Sequence, residues 1–236
     1  VYKRQGFIMG KNDNGNNGRT ELVFVVDRSG SMGGLESDTI GGFNSMLSKQ
    51  RTIAGECRVT TLLFDHRIET LHNHLDIREV NDLTSRDYWV RGSTALLDAI
   101  GLAIDRMIVT QRHTAAAYRA QHVLFVIIAD GYENASRRYS LHQIKQMITH
   151  ERERYHWEFV FLGANIDAEQ TAGDFGISPR CATDFHADGQ GIKASFEAVA
   201  CAATAVRGGA DLDDLSAPDF LGGVRDDYRS RRRMKR

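Results

Sequence analysis

The sequence predicts an α/β fold: a Rossmann-like, doubly wound, mainly parallel sheet with one antiparallel edge strand and helices on both faces. Two observations carry this expectation. Short, unbroken apolar runs recur at Glu21–Asp27 (ELVFVVD), His122–Asp130 (HVLFVIIAD) and Trp157–Gly163 (WEFVFLG), and such runs belong to strands buried on both faces. Between them lie stretches with apolar residues every three to five positions, the spacing of one helical face. Strands alternating with helices make parallel crossovers the natural topology.

Each element follows from its local pattern. Leu35–Gln50 aligns Leu35, Ile40, Phe43, Met46 and Leu47 on a helix, and Thr94–Val109 aligns Leu97, Ile100, Ile104 and Ile108. Ser140–Arg152 forms a third helix, with Ser140 as its N-cap. Arg58–Asp65 and Arg67–Leu75 read as two strands joined by a tight turn at Asp65–His66, a local antiparallel hairpin. Helices at Asp167–Phe175 and Gly191–Val206 flank a short strand near Cys181–Phe185. A polar lead-in precedes residue 19, rich in Gly and Asn at Lys11–Gly18, and the domain is expected over residues 19–207. From Gly208 onward a flexible tail is expected, with six basic residues in Arg229–Arg236, read as a solvated terminus.

Composition narrows the function classes. Charged residues make up 26% and the formal net charge is -1, so the broad basic footprint of a nucleic-acid binder is missing. The three cysteines, Cys57, Cys181 and Cys201, form no CxxC pair, which disfavours a zinc ribbon or a redox couple. No apolar run approaches membrane-spanning length and no basic-then-apolar leader is seen, so a cytoplasmic setting is expected. The chain begins at Val1, and Met9 is an alternative start.

Open α/β sheets bind ligands beyond the carboxyl ends of their strands. The first strand ends at Asp27, and Ser29 and Ser31 follow on a glycine-containing loop; a later long strand ends at Asp130-Gly131; Thr94 opens a helix after Arg91-Gly92-Ser93. Two carboxylates and three hydroxyls form an all-oxygen donor set suited to a hard cation, Mg²⁺ first, then Mn²⁺ or Ca²⁺. Two acids neutralise a divalent ion without filling its sphere, so an acidic side chain of a partner protein is the natural completing ligand.

Other chemistries fit poorly. Gly30, Gly33 and Gly34 do not make GxGxxG, and neither a P-loop nor a GxSxG elbow occurs. A haloacid-dehalogenase-type phosphatase needs a second acid where Ser29 stands. His72-Asn73-His74-Leu75-Asp76 resembles half of a metallo-hydrolase motif, and period two would put its three side chains on one strand face. Ile77 stands where that motif continues with His, so a solvated edge strand is expected. Tyr88 and Trp89, just ahead of Thr94, are candidates for the core or for the rim of a protein interface.

Asp27-Arg28-Ser29-Gly30-Ser31, Thr94 and Asp130-Gly131 together resemble the three-part metal-ion-dependent adhesion site of the von Willebrand factor A domain family. Phe161–Ala168 (FLGANIDA) is similar to a stretch in bacterial intracellular members. Ala129 departs from the Thr or Ser that often precedes the second acid, a supporting position. The resemblance implies a metal-dependent protein-binding module rather than an enzyme, with a protein partner presenting Asp or Glu. A Mg²⁺-dependent hydrolase or phosphatase on the same site, or an adaptor docking on an ATPase, are the alternatives.

Overall fold

A computed structural model describes residues 18–214, 216 and 218–234; the Gly/Asn-rich lead-in before residue 18 lies outside the described residues. Six strands, β1 (Thr20–Asp27), β2 (Cys57–Phe64), β3 (Ile68–Asp76), β4 (His122–Asp130), β5 (Glu158–Ala164) and β6 (Ala182–Asp184), form one sheet in the order β3-β2-β1-β4-β5-β6. All neighbours are parallel except β2 and β3, which close the predicted hairpin. Every residue of β1 is buried, and so is every residue of β4 after His122, because both faces of these central strands are covered. That is the physical origin of their unbroken apolar runs.

The helices are α1 (Glu36–Arg51), α2 (Leu96–His113), α3 (Leu141–Tyr155), α4 (Ala168–Phe175), α5 (Gly189–Arg207) and α6 (Gly222–Met234). Helices α1 and α5 pack together on one face, while α2, α3 and α4 line the other. Phe43 of α1 links that first layer, meeting Phe24 of β1 at 5.2 Å and Phe196 of α5 at 6.2 Å, both edge to face. Gly42 lets α5 come this close, since a Cβ there would fall 2.4 Å from the Phe196 ring. The contact is locked at the other end by Arg207, a buried side chain at the last residue of α5. Its guanidinium donates to the carbonyls of Gln50, Ile53, Ala54 and Gly55, satisfying the C-terminal end of α1. The predicted cap on α3 is present as a capping box between Ser140 and Gln143. Among the described residues no helix is long and apolar enough to cross a membrane.

Chain order places the functional edge. From β1 the chain steps to β2 and β3, then returns past β1 to β4 and moves outward the other way. The loops leaving β1 and β4 therefore diverge, opening a crevice at the carboxyl ends of these two strands. Asp27 ends β1 and Asp130 ends β4, so the topology delivers both acids to that crevice.

Two expectations need correction. Residues 222–234 are not a flexible tail but helix α6, packed on α5 and β6. Leu221 and Val224 are buried beneath it, Arg225 donates to the carbonyls of Pro179, Arg180 and Ala182, and Arg231 pairs with Asp188 and Asp227. Nor is the HxHxD segment a solvated edge with three aligned side chains. The β2–β3 register shifts twice around Thr61, and His74 adopts a left-handed backbone (φ 55°). His72 is buried, stacks on Phe43 and hydrogen-bonds Thr61 Oγ1 at 3.1 Å, whereas His74 turns toward Glu21.

Glu21 and His72 make testable cases of buried polar groups. Burial pushes the Glu21 carboxyl up to about 8, against the lowering charge of Arg58; His74 Nδ1 lies 2.7 Å from one oxygen, and the other has no hydrogen-bond partner among the described residues. A raised folded-state pKa means the native state holds a proton that the unfolded chain has released. Stability should therefore fall as pH rises from about 4.5 to about 8. Urea denaturation across this range should show the wild type losing stability relative to Glu21→Gln, whose own curve lacks this component; parallel curves would refute it. His72→Ala should lower unfolding free energy by about 1–3 kcal/mol through lost packing, with divalent-metal content unchanged by elemental analysis.

Candidate metal centre

The first loop of the site turns immediately after β1. Both oxygens of the buried Asp27 carboxylate are engaged by main chain: Oδ1 accepts the Ser29 amide at 2.6 Å and Oδ2 the Asp130 amide at 3.1 Å. The first bond folds the loop back on its own strand, and the second ties β1 to the end of β4. Beneath the loop, the buried Tyr88 hydroxyl donates to the Asp27 carbonyl at 2.5 Å. Tyr88 is thus core, while its neighbour Trp89 is 43% exposed.

The hydroxyls converge from the same turn. Ser29 Oγ and Ser31 Oγ lie 2.9 Å apart, and Ser31 Oγ donates to the Asp130 carbonyl. Gly131 has φ 103°, a left-handed region favouring glycine, which lets the chain leave Asp130 sharply beside Ser31. Ser29, Ser31 and Asp130 are therefore brought together with Asp27. Thr94 is buried and reaches the same edge on the loop preceding α2: the Gly30 amide donates to the Gly92 carbonyl at 3.1 Å, and the Arg91 amide to the Arg28 carbonyl at 2.9 Å.

Serines and threonines after a strand often do no more than cap the next helix. Here α1 begins after Leu35 and α2 after Ala95, and neither receives a side-chain cap from its N-cap residue; nor does Ser29 cap the 3₁₀ turn at Gly30–Met32. The start of α2 is satisfied instead from the loop after β4. Asn134 Oδ1 accepts the Thr94 amide at 2.9 Å, Glu133 Oε2 the Leu97 amide at 2.9 Å, and Ser136 Oγ the Asp98 amide at 3.0 Å. Asp98 reciprocates by accepting the amides of Arg137, Arg138 and Tyr139. The hydroxyls of the motif are thereby released from capping duty.

The electrostatics favour a cation. Burial pushes the Asp27 carboxyl up to about 6, against hydrogen bonds from Ser29 and the Asp130 amide. Burial also raises Asp130, against a hydrogen bond that Asn165 Nδ2 donates to its Oδ1 at 2.6 Å. Oδ2 of Asp130 is buried with no hydrogen-bond partner among the described residues, and such an orphaned acceptor asks for an explanation, an ion included. Two destabilised carboxylates beside hydroxyl oxygens fit a hard divalent ion that takes oxygen ligands. Among the described residues no group of three or more His, Cys, Asp or Glu side chains is arranged to hold a metal.

Sequence reasoning missed Asn165, Asn134, Glu133 and Ser136. Asn165 was within reach of the strand-end argument, since it directly follows β5. It holds a left-handed backbone (φ 54°) that Asn tolerates better than most residues. The capping residues of α2 had no such signal, because they lie about 40 positions from the amides they serve.

No protein-family model and no curated protein sequence matches the chain. Solved structures do. The vWF domain of the type V pili tip protein Mfa5 from Porphyromonas gingivalis aligns with TM-score 0.55 and 13% identity, over 79% of this chain and 95% of that one. Manganese-loaded Plasmodium vivax TRAP protein aligns with TM-score 0.54 and 17% identity, over 76% and 72%. Proximal thread matrix protein 1 from the mussel byssus, in a structure with a zinc-occupied MIDAS motif, aligns with TM-score 0.53 and 13% identity, over 80% of this chain and 46% of that one. This chain thus spans under half the length of the mussel protein. At such identities the likeness is one of architecture, and the architecture is that of a von Willebrand factor A-type domain.

Proposed function

We propose that the chain is a von Willebrand factor A domain of the bacterial intracellular type, acting in the cytoplasm as a metal-dependent protein-binding module. Asp27, Ser29, Ser31, Thr94 and Asp130 would hold the ion, with Mg²⁺ preferred because every donor is a hard oxygen. The observation carrying this reading is the buried Oδ2 of Asp130, without a hydrogen-bond partner among the described residues, at the crevice where the Asp27 turn and Ser31 close on the end of β4. A bound divalent cation would supply an electrophilic point that accepts a carboxylate. The chain's own groups do the rest. Asp27 is fixed by two amides, Asp130 is oriented by Asn165, and Ser31 is held against the end of β4. The partner is read as a protein presenting Asp or Glu, a subunit of an ATPase complex among the options.

Binding is preferred over catalysis because three of the four carboxylate oxygens are already engaged. Both Asp27 oxygens accept backbone amides and one Asp130 oxygen is held by Asn165, and the remaining Asp130 oxygen is assigned in this reading to the ion rather than to a base. Neighbours named for a zinc-occupied MIDAS motif and for manganese loading support a divalent ion on this fold.

The ion should be visible in stability. For a dissociation constant on the order of 1 mM, 10 mM Mg²⁺ adds RT ln 11, about 1.4 kcal/mol, and raises the thermal midpoint. Asp130→Asn keeps an acceptor for Asn165 and should stay folded while losing that rise; equal rises in both proteins would remove the site. Partner use is tested by pull-down. Capture should disappear with EDTA and with Asp130→Asn, whereas capture indifferent to both would place the interface elsewhere. Phosphoester turnover in Mg²⁺, abolished by Asp130→Asn, would favour the hydrolase.

A further inference from the structure

One buried carboxylate near the site belongs to none of the metal-binding positions. Asp65 lies in the turn between β2 and β3, and its side chain is wholly buried. Its Oδ2 accepts Nε of Arg28 at 3.2 Å and Nε of Arg91 at 2.7 Å. Its Oδ1 accepts the Arg67 amide at 2.7 Å and lies 3.0 Å from His66 Nδ1. Its main-chain carbonyl accepts the Ala95 amide at 2.9 Å. Burial alone would raise this carboxyl, but hydrogen bonds from Arg91 and the Arg67 amide, with the charges of Arg91 and Arg28, outweigh it and hold Asp65 below the usual carboxylate range. It is an ionised, buried hub.

The partners of this hub are distributed tellingly. Arg28 sits inside the Asp27–Ser31 loop, between the first acid and the first hydroxyl, and is itself buried, with a second bond to Glu69 at 2.6 Å. Arg91 and Ala95 bracket Thr94. The Thr94 loop lies tight against the β2–β3 turn that carries Asp65, because residue 92 is glycine: at φ 67°, a Cβ there would come within 2.2 Å of His66 Nδ1. Sliding one loop against the other would separate a buried charge from its partner, which is strongly disfavoured in a water-excluded place.

We propose that Asp65 is the positioning residue of the metal centre: through Arg28 and Arg91 it holds the Asp27–Ser31 loop and the Thr94 loop at the separation a shared cation needs. The inference rests on the metal-binding reading and adds to it the element that sets the geometry. Asp65 touches no ligand; it acts through the two arginines.

The test uses the full chain and Mg²⁺ alone, by calorimetric titration of wild type, Asp65→Asn, Arg91→Gln, Thr94→Ala and the two double variants with Thr94→Ala. Arg91 is partly exposed and its variant should fold even where Asp65→Asn does not. Each of Asp65→Asn and Arg91→Gln should weaken Mg²⁺ binding about tenfold, the scale on which groups supporting metal ligands act. Combined with Thr94→Ala, either should add less than about twofold, because the bracket works by placing Thr94. In the metal-free protein, Asp65→Asn should speed hydrogen exchange at the Gly30 and Arg91 amides, which bridge the loops, and not at β1 or β4 amides. Unchanged Mg²⁺ affinity in both variants, or losses that multiply with that of Thr94→Ala, would overturn the proposal and leave the metal site standing. Equal Mg²⁺ binding by wild type and Asp130→Asn would instead overturn the metal reading and this inference with it.

Discussion

Two carboxylates buried side by side at the ends of the central strands are the constraint around which the rest of the molecule is organised. Asp27 and Asp130 are both fully inaccessible, and the Asp27 carboxylate touches the Asp130 amide. Like charges in a water-poor site raise one another's pKa unless something offsets them. The protein offers amides to Asp27 and an Asn165 side chain to Asp130, yet Oδ2 of Asp130 has no hydrogen-bond partner among the described residues. Such an arrangement is costly for a structural element and sensible for a site that takes up positive charge. The same requirement explains the hydroxyls, which add donors to an ion without adding negative charge.

The strands that carry these acids were the most legible part of the sequence. The runs of β1, β4 and β5 are continuous because helices cover both faces, so burial is written directly into composition. Strand ends then identify Asp27 and Asp130 without any tertiary information. Thr94 was legible for a different reason: a Gly-Ser-Thr step before an amphipathic run marks a helix entrance. What could not be read was how that entrance is satisfied. Its caps come from Glu133, Asn134 and Ser136 across the fold, and no local pattern distinguishes a hydroxyl that caps from one left free by a distant cap.

The failures share one physical cause, which is that polar side chains can be structural when their partners are remote in sequence. The segment 222–234 reads as a solvated basic terminus because its sequence is dominated by charged residues, with Leu221 and Val224 giving buried apolar surface at its start. Arg225 and Arg231 nevertheless anchor α6, through carbonyls at the edge of β6 and through Asp188 and Asp227. His72 failed in the same way. On an edge strand a histidine in a His-Asn-His run looks solvated, but the shift of register around Thr61 directs it into the α1 layer against Phe43.

Arg28 shows how far a motif can be read as chemistry before it must be read as architecture. Between Asp27 and Ser29 its position looks like a spacer, and in an open loop an arginine would be expected to point to solvent. It is instead one of the largest fully buried side chains in the protein. A guanidinium loses hydration when buried, so its place must be fixed by several bonds of good geometry, and it has them to Asp65 and Glu69 on the neighbouring hairpin. The alternation of the loop then follows. Asp27, Ser29 and Ser31 gather at the end of β4, where Asp27 meets the Asp130 amide and Ser31 its carbonyl, while Arg28 between them is drawn into the hairpin. A loop pinned on one side by a buried ion pair can present three oxygens on the other without the entropy loss of ordering them when an ion arrives, and that preorganisation is what a weakly charged donor set requires to hold a hydrated cation.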